Sequence, residues 1–299
     1  MLQTFDERNR DLIVSVNGNL VHRDRAAISP FDSSVQGGDA VWEGLRLYQG
    51  KIFRLDEHLA RLQRSALALA FETIPSDEEI TGQISATLRA NRMTDDVHIR
   101  LTLTRGVKIT SGMDPRLNQS GPTLIVLAEH KPPVYDQSGI TLVTASVRRP
   151  PPDCLDPKIH HNNLLSSILA KIEANVAGAD DAVMHDQRGF VAETNATNLF
   201  LAAGGRLATP AAVACPEGIT RAAVLELAEG AGIGCDVGDL SLTQFYAADE
   251  VFVTGTMGGL TPVTAIDGRT IGGGSPGPVT LRLGALFAGL TARSGTPVM

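Results

Sequence analysis

Residues 42–62 read WEGLRLYQGKIFRLDEHLARL. Val41 to Tyr48 has the composition of a strand, and Gly50-Lys51 turns it back into Ile52-Phe53-Arg54. From Asp56 to Phe71 the period changes. Leu59, Leu62, Leu67 and Leu69 recur at helical spacing, with Asp56 as the predicted N-cap. Strand, turn, strand and then helix is a unit of an α+β fold rather than a βαβ series.

Outward from this stretch the pattern holds. Leu12 to Val21 reads as a hairpin around Asn17-Gly18. Ser76 to Asn91 is a predicted helix with an acidic first turn, and Val97 to Thr104 and Thr123 to Ala128 are predicted strands. The segment 129–139, with Pro132-Pro133, interrupts all periodicity and marks the domain boundary. Beyond it, Ile140 to Ser146 is a predicted strand, and 162–176 an amphipathic helix stopped at Gly178. Short strands follow at 182–185, 190–193, 198–202, 207–208 and 250–254, with a helix over 220–230. The tail from Gly272 is Gly/Pro-rich and then helical. The division expected is 1–128, a linker at 129–139, and 140–299.

Composition excludes several classes. The 299 residues are 43% hydrophobic and 20% charged, too apolar for a disordered chain. No run reaches the ~18–20 apolar residues of a membrane span. A net charge of −7 argues against a general nucleic-acid binder. The three cysteines are widely spaced, the seven histidines form no HExxH, and no metal is expected. The first residues have no apolar signal region, so the expected location is cytoplasmic.

Four places carry possible chemistry. Only five of the 26 basic residues are lysine: Lys51, Lys108, Lys131, Lys158 and Lys171. Lys158 follows a proline and stands among Ile159, His160, His161 and two Asn, just before an apolar helix. A lysine at such a boundary is either an exposed loop residue or a desolvated amine suited to Schiff-base chemistry. Glu193 ends an apolar strand in GFVAETNATNLF (189–200), as a turn residue or as a buried, paired carboxylate. In CPEGITRAAVLELAEG (215–230), Thr220 either caps a helix or leaves its N–H groups to an anion. VTGTMGGLTP (253–262) is a strand running into a donor-rich loop, or an ordinary Gly-rich turn.

Taken in order, VNGNLV, the stretch 42–62, HIRLTLTRG (98–106), PKIHHNNLLSSILAKIEA (157–174), GFVAETNATNLF, GITR and ADEVFVTGTMGGLTPV (248–263) resemble the fold-type IV, or class IV, aminotransferases, over nearly the whole chain. The resemblance implies a two-domain α+β protein, with a small α/β N-terminal domain, a larger strand-rich pseudo-barrel, and pyridoxal 5′-phosphate between them. It makes Lys158 the Schiff-base lysine and Glu193 the partner of the pyridine nitrogen, which a carboxylate keeps protonated. Arg61, Ile219, Thr220 and Thr256 become the phosphate ligands. Trp42, Arg46, Arg100, Met257 and Gly258 become the substrate-binding residues. It further implies a homodimer.

The branch is read from WEGLR and HIR, which resemble the branched-chain enzymes. Arg100 stands where an arginine receives the side-chain carboxylate of glutamate, and His98 where a tyrosine is usual. The function expected is transfer of an amino group between a branched-chain or aliphatic L-amino acid and a 2-oxo acid such as 2-oxoglutarate. Departures at Gly37 and Asn163, each in place of a tyrosine, enlarge or polarise the site. They keep D-amino-acid or (R)-amine transamination, and aminodeoxychorismate lysis, as alternatives. The loop 106–119, GVKITSGMDPRLNQ, lacks the Arg-x-His trap of D-amino-acid enzymes, with Arg116 a possible substitute. The roles of His160 and His161 stay open.

Overall fold

A computed structural model describes residues 3–299, and the chain divides into two compact units. Of the described residues, one takes in 3–132, 159–163 and 291–299; the other takes Pro133–Lys158 and Leu164–Leu290.

The first unit contains β1 (Ile13–Val16), β2 (Asn19–His22), α1 (Ser33–Gly37), β3 (Ala40–Tyr48), β4 (Lys51–Ile52), α2 (Leu55–Ala68), α3 (Asp77–Ala90), β5 (Val97–Thr104) and β6 (Thr123–His130). Its antiparallel sheet runs β4-β3-β5-β6-β1-β2, and the terminal strand Thr296–Pro297 is added beyond β4. Strand alternation sorts the side chains. Val97, Ile99, Leu101 and Leu103 point into the core beside Val41, Leu45, Leu47, Leu59, Leu62, Ile80 and Ile84. Each such burial contributes roughly 1.5–3 kcal/mol. His98, Arg100 and Thr102 lie on the other face, opposite Arg46, Gly44 and Trp42 in register.

Two expectations are corrected here. The helix after the hairpin begins at Leu55, with Arg54 at its cap in the left-handed region (φ 51°) and no side-chain cap, so Asp56 lies inside the first turn. There its charge faces the positive end of the helix. The segments 159–163 and 291–299, expected with the C-terminal domain, fold with the N-terminal one. β4 covers only the far end of β3, so residues 159–163 fill the vacant edge. Trp42 N–H donates to His160 O (2.9 Å) and Asn162 N–H to Ala40 O (2.9 Å).

The second unit comprises β7 (Ile140–Thr144), α4 (Pro152–Leu155), α5 (Leu165–Ala177), β8 (Asp181–His185), β9 (Val191–Thr194), β10 (Asn198–Ala203), β11 (Arg206–Pro210), α6 (Ile219–Gly230), β12 (Cys235–Gly238), α7 (Leu242–Tyr246), β13 (Glu250–Gly255), β14 (Gly259–Ile266), β15 (Arg269–Thr270) and most of α8 (Pro278–Arg293). Its mixed sheet runs β12-β11-β10-β13-β14-β7-β8-β9, and β9 returns against β10 and β11, so the sheet curls on itself. Phe200 and Phe252, both fully buried, stack with ring centres 5.0 Å apart on the sheet face opposite Leu199, Leu201, Val251 and Val253.

α5 differs from the sequence expectation. It starts at Leu165 rather than Asn162, and its buried residues are the small Ala170 and Ala174. The large residues meant for a core stand outside: Leu165 is 72% exposed and Val176 85%, with Ile168, Leu169 and Ile172 about half exposed.

Candidate active site

Each unit carries its own group of the residues singled out by sequence. In the first unit, period-two alternation brings Trp42 and Arg100 onto one face. The Arg100 guanidinium lies 3.5 Å from the Trp42 ring centre, and His160 stacks on the same indole at 4.1 Å. The indole N–H donates to His161 O (3.1 Å). Arg100 donates to Asn162 Oδ1 (2.9 Å) and makes a long contact with Thr102 Oγ1 (3.5 Å). Among the described residues no carboxylate pairs with it. Burial lowers it to about 10, partly opposed by Glu43, so it stays a cation at neutral pH. Beside it, burial and the charges of Lys131, Arg100 and Arg46 push His98 down to about 3. The ring is therefore neutral, and its Nδ1 is buried without a partner.

Arg46 shares this strand face, but its guanidinium is engaged elsewhere. It pairs with Asp96 (2.6 Å) and donates to Lys131 O (3.2 Å). Arg61 is bidentate on Glu43, with Nε to Oε1 and Nη2 to Oε2 both at 2.7 Å. Glu43 also accepts from His58 Nδ1 (2.7 Å) and His160 Nδ1 (3.2 Å). Arg116 is exposed and paired with Asp114.

In the second unit, Glu193 on β9 is buried and pairs with Arg149 (2.9 Å). Burial raises its carboxyl to about 7, against the opposing charge of Arg149. Arg149 also donates to Ser167 Oγ (3.1 Å) on α5 and to Ala214 O (3.2 Å) in the loop before α6.

α6 begins at Ile219. Its N-cap is Gly218 rather than Thr220, and no side chain caps it. Thr220 is buried in the first turn, where backbone N–H groups and the helix dipole favour an anion. Gly218 is needed for space: a Cβ there would stand 1.9 Å from Asn198 Oδ1. Asn198 pairs in register with Thr254, whose Oγ1 is buried without a partner, and Thr256 follows two residues later. The helix end and the β13–β14 turn therefore meet at one end of the sheet. That turn is Thr256-Met257-Gly258, and a Cβ at Gly258 would reach within 2.9 Å of the Tyr135 ring. Lys158 is exposed, with its backbone N–H donating to Asp156 Oδ1 (2.9 Å).

Sequence reasoning missed Arg149, and it passed over Glu43 as one letter of WEGLR. An acidic residue at a core-facing strand position was the available signal for Glu43. Arg149 sits 44 positions from Glu193 and offered none.

Residues 40–266 match the family model described as amino-transferase class IV. The chain belongs to the class IV aminotransferases. It is 56% identical over 291 residues to the branched-chain-amino-acid aminotransferase-like protein 2 of Arabidopsis thaliana, covering 97% of this chain and 52% of that protein. It thus spans about half the length of that plant relative. Against the putative branched-chain-amino-acid aminotransferase of Methanocaldococcus jannaschii it is 40% identical, covering 95% of this chain and 98% of that one. The crystal structure of a T.th. branched-chain amino acid aminotransferase, complexed with N-(5′-phosphopyridoxyl)-L-glutamate, superposes with a TM-score of 0.88 at 34% identity, covering 94% of each chain.

Proposed function

We propose that this class IV aminotransferase uses pyridoxal 5′-phosphate to move an amino group from a branched-chain or aliphatic L-amino acid to a dicarboxylic 2-oxo acid such as 2-oxoglutarate. The observation that carries the substrate assignment is Arg100. A half-buried guanidinium with only neutral partners among the described residues, laid on an indole, is a receptor for an anion that arrives from outside. The side-chain carboxylate of glutamate or 2-oxoglutarate is such an anion. The phosphopyridoxyl-glutamate carried by the T.th. enzyme supports that choice.

The residues fit the cofactor. Glu193 is a buried carboxylate with Arg149 as its only ion-pair partner among the described residues, suited to a protonated ring nitrogen. The uncapped end of α6, with Thr220 in its first turn, suits a phosphate. When bound, pyridoxal phosphate supplies the electron sink for the pair released at the substrate Cα.

In this reading Lys158 anchors the cofactor covalently and moves the Cα proton. Arg61, Ile219, Thr220 and Thr256 hold the phosphate. Trp42 lines the side-chain pocket, and Met257 and Gly258 receive the α-carboxylate at the β13–β14 turn. Arg46 acts at the same strand face while it is held by Asp96. The exposed apolar stripe of α5 supports a homodimer, since a second copy would bury it. The three free cysteines support a cytoplasmic location, and among the described residues no helix is long and apolar enough to cross a membrane.

Paired assays test the reading. L-leucine with 2-oxoglutarate is expected to turn over faster than D-alanine with either 2-oxoglutarate or pyruvate. A faster D-substrate overturns the branched-chain assignment. Catalytic pyruvate release from aminodeoxychorismate without an amino acceptor overturns the transaminase reading in favour of the lyase.

A further inference from the structure

Glu43 is 0% exposed in the first unit. It stands on β3 between Val41 and Leu45, at a position where strand alternation calls for an apolar residue. An ionised carboxylate is tolerated there only when its lone pairs are filled. Here they are. Arg61 supplies two parallel N–H donors, His58 Nδ1 supplies a third, and His160 Nδ1 a fourth. Burial alone would raise Glu43, but His160 and the Arg61 guanidinium more than offset it and hold the carboxyl well below its usual range.

The geometry also runs in the other direction. Arg61 sits on α2 at the end of a long, rotamer-rich side chain. The bidentate pair fixes both the plane and the roll of its guanidinium, and takes Nε and Nη2 in doing so. His58 lies one turn before Arg61 on the same helix face, so it holds the carboxylate in place from the same side.

We infer that Glu43 is a positioning residue for the cofactor phosphate, acting through Arg61 without touching the phosphate itself. This rests on the reading of Arg61 as a phosphate ligand. Glu43 selects the rotamer from which Arg61 would hold the phosphate, so its removal weakens phosphate recognition even though every residue assigned to the phosphate is kept.

The test compares the affinity of the full-length, cofactor-stripped protein for pyridoxal 5′-phosphate with its affinity for pyridoxal, which lacks the phosphate. The ratio isolates phosphate recognition from general damage. Arg61→Ala is expected to lower the ratio by about ten-fold or more, the loss of one charge-assisted contact. Glu43→Gln is expected to lower it by a similar factor, and the double variant by no more than either single one. Glu43→Asp, which keeps the charge and withdraws it by one methylene, serves where Glu43→Gln does not fold, with a smaller fall in the same direction. A ratio that falls in Arg61→Ala and stays at the wild-type value in the Glu43 variants overturns the positioning role while Arg61 keeps its own. An unchanged ratio in Arg61→Ala overturns both. Equal loss of affinity for pyridoxal and its phosphate in the Glu43 variants marks Glu43 as a folding residue only, which also overturns the inference.

Discussion

Two buried carboxylates divide the chemistry of this chain. Glu43 in the first unit has four hydrogen-bond donors and is held well below the usual carboxylate range. Glu193 in the second unit has one arginine and is pushed up to about 7. Both are buried and both face a guanidinium, so burial alone does not separate them. The number of donors does. A carboxylate with every lone pair filled is part of the framework. One left short of positive charge has capacity for a further cation, and the proposed one is the ring nitrogen of the cofactor.

Glu43→Gln gives the largest expected effect on that contrast. Breaking a buried, multiply bonded ion pair costs about 3–5 kcal/mol. Glu193→Gln in the cofactor-free protein is expected to cost nothing at neutral pH or to stabilise slightly. Denaturant titration of the two variants side by side checks this, and equal destabilisation breaks the distinction.

Next in size is the pH dependence. Glu193 is raised from 4.5 to about 7, so the folded chain binds its proton more tightly than the unfolded one. Its contribution is fully present below pH 4.5 and is lost as pH rises through about 7, on the order of 3 kcal/mol in total. Glu43 has the opposite sign: its contribution is present above pH 4.5 and is lost as pH falls through its depressed value. Glu193→Gln is therefore expected to flatten the fall in apo-protein stability between about pH 4.5 and 7. A profile that keeps its slope refutes the raised carboxyl. Bound cofactor is expected to remove the same slope by pairing with the ionised form.

A smaller effect is expected at Arg100. Arg100→Met removes a charge-assisted contact of about 1.5–3 kcal/mol. KM is expected to rise for glutamate and 2-oxoglutarate, and to hold for leucine and its 2-oxo acid. An equal rise for both pairs assigns Arg100 to the α-carboxylate or to folding. The proposed homodimer is tested with Ile172→Glu on the exposed stripe of α5, which is expected to yield monomers in sedimentation. An unchanged sedimentation coefficient removes α5 from the interface.

How much of this was legible follows from the range of each interaction. The β3–β4–α2 stretch and the alternation of residues 97–104 are local, so spacing found those elements; Trp42 and Arg100 were singled out by the resemblance, and only the β3–β5 register sets them on one sheet face. The small-in, large-out packing of α5 was not legible, because periodicity finds an apolar stripe without saying what covers it. Ala170 and Ala174 face the sheet, since small residues allow α5 to approach it closely. The return of 159–163 and 291–299 to the first unit was hidden for a different reason. Residues 159–163 fill the edge of β3 that the short β4 leaves open, 296–297 pairs with the outer edge of β4, and such edges appear only once a sheet exists. The pairing of Arg46 with Asp96 and of Arg61 with Glu43 was not legible, because those partners lie 50 and 18 residues away.

The central claim is that Lys158 alone among five lysines anchors the cofactor. Its most direct test is borohydride reduction of the protein with pyridoxal 5′-phosphate, followed by peptide mass mapping, in the wild type and in Lys158→Ala. The account predicts a phosphopyridoxyl label on the peptide containing Lys158, no label in the variant, and no transamination by the variant. A label on Lys51, Lys108, Lys131 or Lys171 in place of Lys158, or turnover that survives the substitution, contradicts it.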